Sequence, residues 1–285
     1  MKLKSLLPAC AVLTMLAFSS CKKESTTNPV TDTPELQATF ALSANIGVAD
    51  NLTQDVNDVL NEAAIDKNFM GSGFTAQPSQ TAGILSCASV TVTPISGFPK
   101  NIVIDFGTGC TSPSGVTRSG KILVHLTDSL RNPGSVAAMT FQNYFVNNFK
   151  KEGNLTWTNT STPGVKSWRR VMQNGKITAP NGNFWTHFGT QDIVQTAGVS
   201  TPLQLMDDEF SVTGGHTVSN PAGITRTRTI LTALQKKTIC PNIDKGSYRV
   251  QGPSHFAIID FGNGVCDNIA TISVDGNPPK TFTLN

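Results

Sequence analysis

The chain has 285 residues, of which 38% are hydrophobic, 14% charged and 7% aromatic. This composition is too polar for a protein that crosses a membrane many times and too apolar for a disordered chain. The 22 Lys and Arg residues nearly balance the 19 Asp and Glu residues, so we expect no strong field that would attract nucleic acid. The 24 Gly and 16 Pro residues favour strands and turns over helices.

The first twenty residues have the organisation of a secretory signal peptide. A basic start is followed by an apolar stretch over 6–18, and two serines lie immediately before Cys21. The apolar stretch is shorter than the ~20 residues that a membrane-spanning helix needs. A basic start, a short apolar run and small residues together predict an exported protein from which residues 1–20 are removed.

The residues around Cys21 predict a lipid anchor. Phe-Ser-Ser-Cys at 18–21 resembles a bacterial lipobox, in which the Cys is acylated, with palmitate for example, although Leu is usual where Phe18 stands. Two or more acyl chains anchor a protein stably to a membrane. Segment 21–37 is rich in Thr and Pro and has few large apolar residues, which predicts a flexible tether. The alternative is an ordinary secreted protein with a chance Cys.

The remaining elements predict one helix followed by strands. Apolar residues recur every three or four positions near 51–68, which predicts a helix. From residue 84 onward, short stretches alternate apolar and polar residues between turn signals, which predicts strands. The body at 38–285 is therefore predicted to be all-β, an antiparallel meander or sandwich of roughly a dozen strands with one short N-terminal helix.

Four cysteines remain after the signal peptide and the acylated Cys are set aside, and an even number in an exported chain predicts disulfides. They are Cys87, Cys110, Cys240 and Cys266. Four cysteines allow three pairings, and we favour Cys87–Cys110 with Cys240–Cys266, because each second Cys follows a similar Ile-Asp-Phe-Gly segment. The repeated segment suggests two related halves, 84–196 and 203–285, or merely two uses of the same turn. A zinc site is disfavoured because no Cys-x-x-Cys spacing occurs.

These features together resemble a group of uncharacterised Bacteroidetes lipoproteins. The resemblance rests on the lipobox, the short helix, the repeated Ile-Asp-Phe-Gly segment and the stretches 117–122 and 140–147. It implies an outer-membrane lipoprotein, on either the surface or the periplasmic side. It implies neither an activity nor a ligand.

Aromatic residues on the predicted strands are the main indication of ligand binding. They are Tyr144, Trp157, Trp168 and Trp185. Phe184 and Phe188 share one strand face, and Trp185 lies on the other. If the Phe face is core, Trp185 points outward and can stack on a sugar ring. If a second layer covers the Trp185 face, Trp185 is core, and this is the interpretation that we favour.

Other candidate sites carry less information. Asp260, Asn263 and Asp267 offer oxygen ligands for calcium, although Asx residues favour turns in any case. Ser129 follows Asp128 in a motif that resembles a Bacteroidetes O-glycosylation site. We expect no catalytic residue and no cofactor, because no nucleophile motif occurs and no two of the four His residues have a metal-ligand spacing.

The sequence therefore predicts a non-enzymatic, lipid-anchored lipoprotein of the cell envelope, at the outer membrane, with a structural or adhesive role. Its expected partners are the membrane, through the lipid, and a glycan or another envelope protein, but not nucleic acid. One alternative is a glycan-binding module that uses the strand tryptophans. Another is a hydrolase whose acids and histidines are assembled from distant strands.

Overall fold

The computed structural model of this chain describes residues 34–71, 83–201, 204–240 and 242–284. The predicted signal peptide at 1–20, the predicted lipid site Cys21 and the tether as far as residue 33 lie outside the described residues. No helix within the described ranges combines the length and the apolarity needed to cross a membrane.

One long helix precedes a series of β-strands. Helix α1 spans Pro34–Asp66, and a short 3-10 helix spans Leu205–Asp207. The strands are β1 (Ser89–Thr93), β2 (Lys100–Asp105), β3 (Cys110–Thr111), β4 (Thr117–Leu126), β5 (Val136–Val146), β6 (Phe149–Asn159), β7 (Ser167–Thr178), β8 (Phe184–Ala197), β9 (Glu209–Ser219), β10 (Thr225–Lys237), β11 (Lys245–Gln251), β12 (Phe256–Asn263), β13 (Ile269–Val274) and β14 (Lys280–Thr283). The predicted all-β body with an N-terminal helix is confirmed.

The strands form one antiparallel meander. Their order in the sheet follows the chain from β1 to β14, except that the short β3 pairs with β4 beside the main path. Strand β8 pairs directly with β9, so the sheet continues without a break between the two predicted halves, 84–196 and 203–285. Of the two arrangements that the sequence allowed, the meander is the one observed.

The helix is longer than the sequence predicted. It begins at Pro34 rather than near residue 51, and it therefore includes the last residues of the predicted tether, 34–37. Proline suits a first helical turn because its missing N–H would have no intrahelical acceptor there. The following residues, 35–44, are rich in Ala, Leu, Glu and Gln, which have high helix propensities. Asp50, which immediately precedes the predicted helix, lies inside the observed one.

The sheet curves around α1. Asp55 of the helix bonds Arg118 of β4, whereas Asp50 bonds Arg228 of β10. The two aspartates are only about 7.5 Å apart along the helix axis. In a flat sheet, β4 and β10 would be about 29 Å apart, since neighbouring strands are about 4.8 Å apart. The strands must therefore bend around the helix to reach both aspartates.

Glycine bulges provide this curvature. The strand registers shift at Gly120 in β4, at Gly153 in β6 and next to Gly175 in β7. A Cβ at Gly120 would lie 1.9 Å from the backbone oxygen of Asn143 in β5, so no other residue fits there. Bulges of this kind kink a strand and increase its twist.

The two predicted disulfides are confirmed. Cys87 pairs with Cys110, and Cys240 pairs with Cys266, each with a Cα–Cα distance of 5.5 Å. The repeated segments also take the same local form. Asp105 accepts a hydrogen bond from the N–H two residues ahead (2.8 Å), and Asp260 does the same (2.7 Å). Both segments direct alternate apolar side chains into the core, which is continuous with the buried face of α1.

Candidate functional site

Opposite charges meet where α1 lies against the sheet. Helix α1 contains aspartates and glutamates but no Lys, Arg or His. The strands that face it contribute buried basic side chains, which we term the basic cluster: Arg118, Lys151, Arg170, His187, His216 and Arg228. Charge complementarity therefore contributes to holding the helix on the sheet.

In strand β10, threonine and arginine alternate, and this alternation places charged side chains on the buried face of the sheet. Segment 225–229 reads Thr-Arg-Thr-Arg-Thr, and its threonines are exposed while Arg226 and Arg228 are buried. Threonine pairs with threonine across the outer face, as Thr217 does with Thr227 (3.2 Å). Arg228 points inward toward Asp50 of α1, with which it forms an ion pair.

The first group in the cluster is a chain of two histidines and an aspartate. His187 Nδ1 lies 2.9 Å from His216 Nε2, and His216 Nδ1 lies 3.3 Å from Asp50 Oδ1. Asp50 also pairs with Arg228. A carboxylate can only accept, so His216 Nδ1–H donates to Asp50, and in neutral His216 the Nε2 accepts from His187 Nδ1–H. This leaves His187 Nε2 as a buried acceptor.

Burial and neighbouring charges set the protonation of this chain. Burial, reinforced by the charges of Lys151 and His216, lowers the pKa of His187 to about 2, so its imidazole is neutral. Burial alone would raise the pKa of Asp50, but the charge of Arg228 and the hydrogen bond from His216 outweigh it and lower that pKa. Asp50 is therefore ionised wherever the protein is folded near neutral pH.

Glycines make room for the two imidazoles. A Cβ on Gly175 would lie 2.5 Å from His187 Nε2. A Cβ on Gly189 would lie 2.8 Å from His216 Cα and 3.2 Å from its Cδ2. Each glycine is the cross-strand neighbour of the histidine that it accommodates. The position of the histidine pair therefore depends on the absence of side chains at 175 and 189.

The second group consists of two cations, Lys151 and Arg170, whose hydrogen bonds go to uncharged acceptors. Lys151 Nζ donates to Thr53 Oγ1 (3.0 Å), and Arg170 Nη2 donates to Gln191 Oε1. Among the residues that the structure describes, neither cation forms an ion pair. Burial and the nearby charge of Arg170 lower the pKa of Lys151 to about 7. The Trp157 ring lies over the Arg170 guanidinium, with its centroid 5.6 Å from Cζ.

The third group joins α1 to β4 and β5. Arg118 Nε donates to Asp55 Oδ2 (3.2 Å), and the Tyr144 hydroxyl donates to the same oxygen (2.9 Å). Burial and the negative charge of Asp55 raise the pKa of Tyr144 well above its usual value. Tyr144 is therefore a neutral donor that fixes the helix, and its side chain is completely buried.

Several buried nitrogens in this region have no hydrogen-bond partner within the described part of the chain. They are Trp157 Nε1, Arg170 Nη1, Trp185 Nε1, His187 Nε2 and Arg228 Nε. All except the histidine nitrogen are N–H donors. A buried donor without an acceptor costs about 1–3 kcal/mol, so the cluster offers more donors than its own acceptors satisfy.

The structure separates the aromatic residues that the sequence singled out. Trp185 and Tyr144 are buried in the core, so neither presents a ring face to solvent. Trp157 and Trp168 are half-buried. The outward arrangement of Trp185 is wrong: Phe188, on the opposite face of β8, is the exposed residue at 58%. The layer that covers the Trp185 face is α1 with its surrounding core, which the strand pattern alone could not reveal.

The candidate calcium and glycosylation residues have local partners. Asp260 and Asp267 each accept a backbone hydrogen bond from two residues ahead, and Asn263 ends β12. Across the described ranges, no three His, Cys, Asp or Glu side chains gather as a metal site would require. Ser129 lies half-buried in the loop after β4, beside Gly71, and its glycosylation stays a prediction.

Sequence reasoning did not find the histidine pair. His187 and His216 come from neighbouring strands, and nothing in their spacing indicates that they meet. A usable signal exists in the glycines, since Gly175 and Gly189 sit where strand side chains are expected. Comparisons with protein-family models, with curated proteins and with solved structures gave no match to this chain.

Proposed function

We propose that the protein is a lipid-anchored lipoprotein of the cell envelope with a non-enzymatic, structural or adhesive role. The observation that carries the proposal is the pair of disulfides, Cys87–Cys110 and Cys240–Cys266, in a chain that begins like an exported lipoprotein. Disulfides persist in oxidising compartments outside the cytosol. The resemblance to Bacteroidetes lipoproteins supports an outer-membrane location.

We propose a role in interaction and not in catalysis, because the charged groups beneath α1 are engaged in structural contacts. Asp55 pairs with Arg118 and Asp50 pairs with Arg228 beneath α1, and these two ion pairs hold the helix on the sheet. Groups used in this way contribute to the architecture of the body. A glycan or another envelope protein is the expected partner, and the lipid is the expected contact with the membrane.

Lipid attachment at Cys21 is the part of the proposal that an experiment can test directly. The full chain is expressed in a bacterium that processes lipoproteins and is fed an alkyne-tagged fatty acid. We expect the protein to carry the tag and to fractionate with membranes. Cys21→Ser should abolish both, whereas the matched control Cys10→Ser, within the predicted signal peptide, should abolish neither. An untagged wild-type protein would contradict the proposal.

A hydrolase is the second candidate function, and one observation favours it. His187, His216 and Asp50 come from distant parts of the chain and form a hydrogen-bonded series, as a proton-transferring site would require. Both imidazoles are buried, at 2% and 7% exposure, so a substrate would have to enter beneath α1. Hydrolysis of a chromogenic ester or glycoside by the wild type, lost in His216→Gln but kept in His125→Gln, would replace the first proposal.

A further inference from the structure

Among the described residues, ion pairs engage only two of the four Lys and Arg side chains of the basic cluster. Two aspartates of α1 each pair with one arginine, but Lys151 and Arg170 have no such partner in the described part of the chain. Their side chains are at least nine-tenths buried. Burial lowers the pKa of both side chains, and like charges add to the effect, Arg170 on Lys151 and Arg228 on Arg170, while Asp50 acts in the opposite direction on each.

Unsatisfied hydrogen-bond donors lie at the same place. Among the described residues, no acceptor lies at Arg170 Nη1 or at Nε1 of Trp157, whose ring covers the Arg170 guanidinium. Gln191 accepts from the other terminal nitrogen of Arg170 and so fixes the orientation of the guanidinium. An acceptor that carries negative charge would satisfy the donors and also compensate the cations that have no ion-pair partner. Water would satisfy the donors but would leave the charge uncompensated.

We propose that the protein binds an oxyanion at Arg170, with Arg170 Nη1 and Trp157 Nε1 as the direct donors. Lys151 and Arg228 supply surrounding positive charge. A guanidinium matches the geometry of carboxylate, phosphate and sulfate groups, and such charge-assisted bonds are about twice as strong as neutral ones. Trp157 is half-buried, so the site lies near the border of the cluster, although both donor atoms are themselves buried. The inference goes beyond the proposed function and does not depend on lipid attachment.

The indole N–H signals of the three tryptophans provide a direct test. The purified full chain, labelled with nitrogen-15, is titrated with sodium sulfate at pH 6.5, with chloride keeping the ionic strength constant. The Trp157 signal should shift and saturate. Trp168, which packs against Phe210 at 6.4 Å, should keep its position. A Trp157 signal that does not move, or that moves linearly without saturation, would overturn the proposal.

Calorimetry on variants identifies the residues responsible. Arg170→Gln should weaken sulfate binding at least about tenfold, because a charge-assisted bond is lost. The matched control Arg169→Gln, on the opposite face of the same strand and paired with Asp192, should bind like the wild type. Trp157→Phe keeps the ring and removes only the donor, and should weaken binding about fivefold. If the Arg170→Gln variant fails to fold, the Trp157→Phe variant tests the assignment alone. Sulfate binding by Trp157→Phe that is as tight as in the wild type would overturn the assignment.

The class of oxyanion follows from the same measurement with three probes. Sulfate, inorganic phosphate and acetate are compared at equal ionic strength. Tighter binding of acetate would identify a carboxylate ligand, and tighter binding of sulfate or phosphate a tetrahedral one. Binding of none of the three would overturn the proposal.

Discussion

Replacement of Lys151 by methionine should make the protein more stable, and the gain should diminish as the pH rises. The lysine side chain is completely buried, and burial with the charge of Arg170 lowers its pKa from 10.5 to about 7. In the folded protein the charged form is therefore disfavoured. The resulting penalty is fully present below pH 7 and disappears as the pH approaches 10.5, the value for the unfolded chain.

The size of the effect follows from this difference in pKa. Each unit is worth about 1.4 kcal/mol, so the penalty is about 5 kcal/mol at pH 6 and about 2 kcal/mol at pH 9. Methionine has a similar length and no charge, but it loses the hydrogen bond to Thr53, which is worth about 1 kcal/mol. The net gain of Lys151→Met should therefore be about 4 kcal/mol at pH 6 and about 1 kcal/mol at pH 9.

Urea unfolding followed by tryptophan fluorescence measures this gain. It is carried out at pH 6, 7.5 and 9 in chloride buffers, so that no oxyanion contributes. The control is Lys150→Met, since Lys150 is the adjacent residue and pairs with Glu152 at a more exposed position. Its effect should stay within about 1 kcal/mol and should not vary with pH. A Lys151→Met variant that is less stable than wild type at pH 6, or whose gain is equal at pH 6 and 9, would refute the reasoning.

Three further substitutions test the packing around the cluster. Gly189→Ala should destabilise the protein by about 2 kcal/mol or more in thermal melts, because the added Cβ would lie 2.4 Å from the Gly215 oxygen. Gly47→Ala should stabilise it by about 0.5–1 kcal/mol in urea, since the position is helical and nothing lies within 4 Å of the added Cβ. Asp50→Asn should cost about 3 kcal/mol at pH 7, because it leaves Arg228 buried without a counter-charge. Since the folded protein lowers the pKa of Asp50 below 3.8, the wild type should lose that advantage as the pH falls through and below 3.8, and acid titration should show a smaller loss in Asp50→Asn.

The strand architecture could be predicted from the sequence because it depends on patterns among residues that are close together in the chain. Each strand alternates apolar and polar residues, and each main strand pairs with its neighbours along the chain, so short-range patterns and turn residues suffice. The disulfides could be predicted from the sequence for a related reason. Cys110 and Cys266 follow the same Ile-Asp-Phe-Gly pattern, and the structure uses that pattern in the same way both times.

The inward-facing charges could not be predicted from the sequence. Alternation shows which residues share a strand face, but not which face is covered. Hydrophobicity alone would place Phe188 inside and His187 outside, the reverse of what is observed. The deciding partner is Asp50, which lies 166 residues before His216 and 178 before Arg228. No local pattern connects positions so far apart.

The meander has a consequence for the order in which the chain assembles. Helix α1 is synthesised first, and each new hairpin can add to the sheet as soon as it appears. The ion pair between Asp55 and Arg118 can form once the chain has been synthesised 63 residues beyond Asp55, whereas the pair between Asp50 and Arg228 requires synthesis of β10. The contact at Asp55 can therefore form earlier in synthesis than the ion pair at Asp50. A nascent chain that stops before β10 can bond Asp50 to His216 of β9 but lacks the ion pair between Asp50 and Arg228.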